Sequence, residues 1–188
     1  MKLNKQIIWI LIAMIVVASL YRIVPNRPYG FAPQIAMALF SGSVIRNRKF
    51  AFAVPLVSML LGDLAFQALY TAGLVPYGGF YKGQITNYLL FAGLTVLGFF
   101  IQHNKTWQVA LGSLAGPTLY FFISNSLVWI SGGGYHHPKT FSGWMLTLVD
   151  GIPFYTGSLY ATVVFATLFF GGYQLLQSNR QAVATSSK

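Results

Sequence analysis

The chain has 188 residues, of which 55% are apolar, 16% aromatic and only 7% charged, whereas soluble proteins average roughly 25% charged. So few charges do not build a water-facing surface. The twelve Lys and Arg outweigh two acids and give a formal charge of +10, but they are scattered between apolar runs and not gathered into a nucleic-acid-binding groove, so no nucleic-acid partner is expected.

A spanning helix needs about 20 mostly apolar residues, and runs near this length predict an all-α membrane protein. The fold expected is a bundle of six transmembrane helices over 6–24, 30–45, 50–71, 84–102, 107–130 and 156–176, within one domain over 1–176. The first run follows Lys2 and Lys5, as a signal peptide would, and Val16-Val17-Ala18 would satisfy a small-residue cleavage rule. It continues past Ala18 to Tyr21-Arg22, which favours a spanning helix with an interfacial anchor. The second run is short for a span, and carries Ala32-xxx-Ala36 and Ala38-xxx-Gly42, spacings that permit close helix approach. Gly112-xxx-Gly116 repeats the pattern on the fifth.

The third run carries Asp63, Gln67 and Tyr70 at i, i+4 and i+7, on one face with Phe66 beside them. Gln84 and Asn87 open the fourth, and Phe121, Asn125 and Trp129 share a face of the fifth. The breaks are punctuated by Pro25-Asn26-Arg27-Pro28, Arg46-Asn47-Arg48-Lys49, Pro76-Tyr77-Gly78-Gly79, His103-Asn104-Lys105 and Gly132-Gly133-Gly134. The stretch 131–155 is long for a connection and contains an apolar piece, Phe141 to Val149; it reads as an outer loop with a short interfacial helix. The tail 177–188 is polar, of low complexity, and expected to be disordered.

Basic residues in alternate connections set the orientation. With the N-terminus cytoplasmic, the inner side holds Lys2, Lys5, Arg46, Arg48, Lys49, Lys105, Arg180 and Lys188, and the outer side Arg22, Arg27, Lys82 and Lys139. That imbalance favours both termini in the cytoplasm of a multi-pass protein of the cell membrane.

Gln34, Asp63, Gln67, Asn87, Ser124 and Asn125 then all lie in the outward half. Polar groups at this depth need partners, because lipid supplies none, and an ionisable group inside a span is a functional candidate. The expected substrate-binding residues are Gln34, Asp63, Gln67, Tyr70, Asn87, Asn125 and Trp129, with Arg27, Lys82 and Lys139 as an outer rim. The competing structural role for Asp63 is a helix-packing bond to Gln34 or Asn125; for the rim residues it is contact with lipid headgroups. Aromatic residues near the outer face fit a planar, partly apolar small-molecule solute, and the basic rim fits a carboxylate or phosphate on it. His136-His137 lacks the further convergent ligands that a metal requires, so neither metal nor cofactor is expected.

Pro25-Asn26, Phe31-Ala32-Pro33, Ala36 to Gly42, Pro55 and Gly62-Asp63-Leu64, with Asn125 to Trp129, Gly132-Gly133, Pro138-Lys139-Thr140 and Gly151 to Phe154, resemble a family of uncharacterised bacterial integral membrane transport proteins. That family in turn is similar to the substrate-binding S component of energy-coupling factor (ECF) importers, which take up vitamins and related micronutrients. The resemblance implies an outward site beneath the odd-numbered loops, a transmembrane coupling subunit and a pair of ATPases. Two features depart from it: the small-residue pattern through which S components meet the coupling subunit is expected on the first helix but lies here on the second, and Lys2 stands where a nickel or cobalt S component has His.

The chain has no GxxxxGK[ST] phosphate loop, so ATP must be hydrolysed by other chains. It shows no Ser-His or paired-carboxylate constellation at a credible depth, and is not expected to be an enzyme. The alternatives are a self-sufficient secondary carrier coupled to protons through Asp63, and a structural or assembly membrane protein.

Overall fold

The computed structural model describes residues 5–24 and 26–186, and the side-chain surroundings of 8–24 and 26–178. Among these residues the chain is all-helical: α1 (Lys5–Arg22), α2 (Gln34–Val44), α3 (Arg48–Thr71), α4 (Gln84–Gly98), α5 (Thr106–Ser131) and α6 (Phe141–Ser186). The first five match the expected segments to within four residues at either end. Lys2 and Lys188, used in the orientation argument, lie outside the described residues.

The sixth helix departs from expectation. The interfacial helix expected over Phe141 to Val149, the remainder of the expected outer loop and the span from 156 form one 46-residue helix with Pro153 inside it. An internal proline removes one backbone donor without dictating a chain reversal. The tail expected to be disordered continues this helix through residues 177–186, because Leu175, Leu176, Gln177, Arg180, Gln181 and Ala182 favour helix and no proline follows to stop it.

The centre of the bundle is α2. Ten of its eleven residues are buried, and α3, α4, α5 and α6 all pack on it. Its small residues permit this: a Cβ added to Gly42 would lie 2.2 Å from the Thr95 carbonyl oxygen, and one on Gly98 would lie 2.5 Å from that of Leu39. Gly116 faces Leu39 and Ile35, and Gly112 faces Ile101. The small-xxx-small patterns are therefore consumed inside the chain, and α2 offers no free face to a partner.

Hydroxyls join the helices where backbones come close. Ser41 donates to the Ala51 carbonyl at 2.8 Å, Ser43 to that of Ile101 at 2.6 Å, and Ser19 to that of Ser58 at 2.9 Å. Meanwhile Trp9, Ile85, Leu89 and Phe100 stand more than half exposed. α3 and the stretch Phe141–Ser178 of α6 are long and apolar enough to cross a membrane, whereas the apolar lengths of α1, α2 and α4 are shorter.

Candidate functional site

The short α2 creates the cavity. Gln34, its first residue, donates Nε2–H to the Ala18 carbonyl at 3.2 Å, one turn before Arg22 on α1, and the described residues between the two helices, 23–24 and 26–33, are not helical. The space left there is a cavity of about 970 Å³, within the usual range for small-molecule sites.

Two connections cover it, and glycines let each lie close to a helix. In the α1–α2 connection Gly30 has φ +69°, and a Cβ there would be 2.0 Å from the Phe154 carbonyl oxygen; Ser158 Oγ donates to the Gly30 carbonyl at 3.1 Å. In the α3–α4 connection a Cβ on Gly79 would meet the Asp63 carbonyl oxygen at 1.7 Å, and the Gly79 N–H is accepted by Gln67 Oε1 at 3.2 Å. Each connection contributes an aromatic contact: Tyr29 with Phe154 at 5.1 Å between ring centres, and Tyr77 with Phe66 at 5.6 Å.

Asp63 is 2% exposed and supports the cavity wall from behind. Its Oδ1 accepts from Arg22 Nη2 at 2.7 Å, and its Oδ2 from Gln84 Nε2 at 2.6 Å and the Tyr88 hydroxyl at 2.7 Å. Arg22 also donates Nη1–H to the Met59 carbonyl at 2.8 Å. The structural partners expected for Asp63, Gln34 and Asn125, are thus replaced by a cation and two neutral donors. The physical reason is that a carboxylate removed from water is best compensated by a charge-assisted bond, and α1, running parallel to α3, brings Arg22 to its depth. Arg22, expected as an interfacial anchor on the outer side, lines the cavity as the partner of Asp63.

Of the expected binding residues, Gln34 and Asn87 line the cavity. Asn87 Nδ2 donates to the Tyr81 hydroxyl at 2.5 Å, and its Oδ1 accepts from the Tyr120 hydroxyl at 2.6 Å. Gln67 holds Gly79, and Tyr70 is 47% exposed, away from the lining. Asn125 donates back to the Phe121 carbonyl at 2.8 Å and faces Gly151 of α6. Trp129 Nε1 donates to the Pro138 carbonyl at 3.0 Å, with Lys139 Nζ 5.1 Å over its ring. These two residues secure the α5–α6 hairpin and do not line the cavity. Of the rim residues, only Arg27 lines it; Lys82 is exposed outside.

Arg27 is half-buried and donates to the Phe31 carbonyl at 3.3 Å. Burial, and then the neighbouring Arg22, push its pKa below the ordinary arginine value. The two histidines diverge: His136 Nδ1 meets the Gly132 carbonyl at 2.6 Å, and His137 Nε2 meets Asp150 at 2.7 Å.

Tyr81, Tyr120 and Phe91 also line the cavity but were not expected there. A signal was available for Tyr120: Gly116 lies four residues earlier and faces α2, so that face of α5 points inward, and the Phe121-Asn125-Trp129 face points to α6.

No curated protein and no solved structure matches the chain. Residues 2–184 match the model of a family described as of unknown function, DUF6580, and the chain belongs to that family.

Proposed function

We propose that the protein is a membrane-embedded, solute-binding subunit of an importer, comparable to the S component of an ECF system. In this reading all six helices cross the cell membrane, both termini are cytoplasmic, the cavity opens outward and partner ATPases supply the energy. The observation that carries it is the cavity of about 970 Å³, set in an all-helical bundle whose outer faces are apolar. Such an outer surface matches lipid and not water. The shorter α2 and α4 complete their crossings with flanking chain, residues 30–33 before α2 and 99–102 after α4.

A coupling subunit must dock elsewhere than on α2, whose small residues are already buried. The secondary-carrier reading requires Asp63 to accept a proton, which means giving up the charge of its ion pair with Arg22; a binding subunit needs no such step.

Purification from the native membrane tests the proposal. A small molecule, a transmembrane partner and ATPases are expected to accompany the protein. Proton-driven uptake by this chain alone in proteoliposomes would establish the secondary carrier in its place.

A further inference from the structure

The cavity has more positive charge than its surroundings neutralise. The chain has two acids: Asp63 is committed to Arg22, and Asp150 meets His137. Arg27 therefore lines the cavity as a half-buried cation with neither acid paired to it and one long bond to a carbonyl. The α2 N-terminus, which has no side-chain cap, forms the deep end of the same space, and a helix N-terminus favours negative charge.

A second observation concerns a different atom. Gln34 is 4% exposed and lines the cavity, and its Oε1 has no hydrogen-bond partner. Its Nε2 is committed to Ala18, so rotating the amide by half a turn would set Oε1 against the Ala18 carbonyl oxygen and leave the amide hydrogens unpaired. A buried amide oxygen of this kind calls for an N–H or O–H from whatever occupies the cavity.

Resting on the solute-binding reading above, we propose that the solute is a ring-bearing oxyanion that also carries a hydrogen-bond donor. Its carboxylate or phosphate pairs with Arg27 beside the α2 N-terminus, its N–H or O–H reaches Gln34 Oε1, and its ring lies among Tyr29, Phe66, Tyr77 and Phe154. Arg22 contributes to the field, but Asp63 occupies its fork. Lys82 and Lys139, outside the lining, do not read the anion.

The test uses full-length protein and the variants Arg27→Gln, Arg27→Lys and Gln34→Met, each purified from the native membrane and checked for an unchanged melting temperature without added solute. Small molecules released on denaturation are identified by mass spectrometry, and thermal shifts are titrated with 4-aminobenzoate, 4-aminobenzamide (no anion) and 4-methylbenzoate (no donor). Wild type should release an anionic ring compound and prefer aminobenzoate over each analogue by at least tenfold. Arg27→Gln should lose the released compound and the preference over the benzamide, Arg27→Lys should retain part of both, and Gln34→Met should lose only the preference over methylbenzoate.

Release of a neutral or cationic solute would overturn the oxyanion class while leaving the solute-binding reading intact. Release of an anionic phospholipid alone would assign Arg27 to a headgroup and overturn the proposal. Absence of both a released compound and any probe binding would overturn the proposal together with the solute-binding reading.

Discussion

Asp63 and Arg22 meet at 2.7 Å, with the carboxylate 2% and the guanidinium 18% exposed, so each depends on the other for compensation. Breaking a buried pair by removing one partner costs about 3–5 kcal/mol, whereas replacing both by apolar groups of similar size is often close to neutral. Asp63→Leu is therefore expected to lower the melting temperature strongly. Combining it with Arg22→Met should recover much of the loss, as a double-mutant cycle in detergent would measure; additive losses would show that the pair is not the coupled unit. His103, in the α4–α5 connection, is held edge-on to Tyr173 at 5.3 Å between ring centres, and burial pushes its pKa below 6.5. With the folded value depressed, the unfolded chain binds the proton first, so this contribution to stability is complete above about pH 6.5 and is lost as pH falls toward the folded value. His103→Phe should flatten that part of a melting-temperature profile. The importance of Asp63 was legible from its being the one acid in an expected span. Its partner was not, because sequence spacing along α3 says nothing about which helix lies alongside.

The helices whose limits were best anticipated, α3 and α5, are those with polar or glycine punctuation at both ends; α5 stops at Gly132 with φ +73°. The outer loop expected before the sixth span, which contains Gly151-Ile152-Pro153, is instead helical. There Gly151 packs against α5, where an added Cβ would lie 2.5 Å from Asn125 Oδ1. Helical faces were less legible than helical limits: polar residues picked out the α6-facing side of α5, while Gly112 and Gly116 mark the inward one. Where glycine serves packing, substitution should be selective. Gly42→Val places branched carbons against the Thr95 carbonyl and the Gly98 backbone, and should cost about 1–3 kcal/mol or more by overpacking. Gly93→Ala on α4, where an added Cβ meets nothing within 4 Å, should be neutral or stabilising by up to about 1 kcal/mol through helix propensity. Thermal melts of the two variants read the contrast, and equal losses would contradict the close α2–α4 crossing.

For the bundle as a whole, the uneven distribution of basic residues leads to a direct expectation: reporter fusions at the C-terminus should read cytoplasmic, and insertions within Gly132–Gly134 should read external. A cytoplasmic signal from the glycine loop would reverse the orientation and close the cavity to outside solutes. The short α2 also bears on how the protein is made. Its eleven residues rise about 16 Å, roughly half of a 30 Å hydrocarbon core, and they are enclosed by helices encoded after it. On the six-span reading proposed above, an insertion channel taking the chain from its N-terminus would meet this segment before α4, α5 and α6 exist to surround it. Synthesis order and burial order therefore diverge, and nascent chains halted ahead of α4 should hold α2 in a protease-sensitive state, with protection gained only when the C-terminal half has emerged.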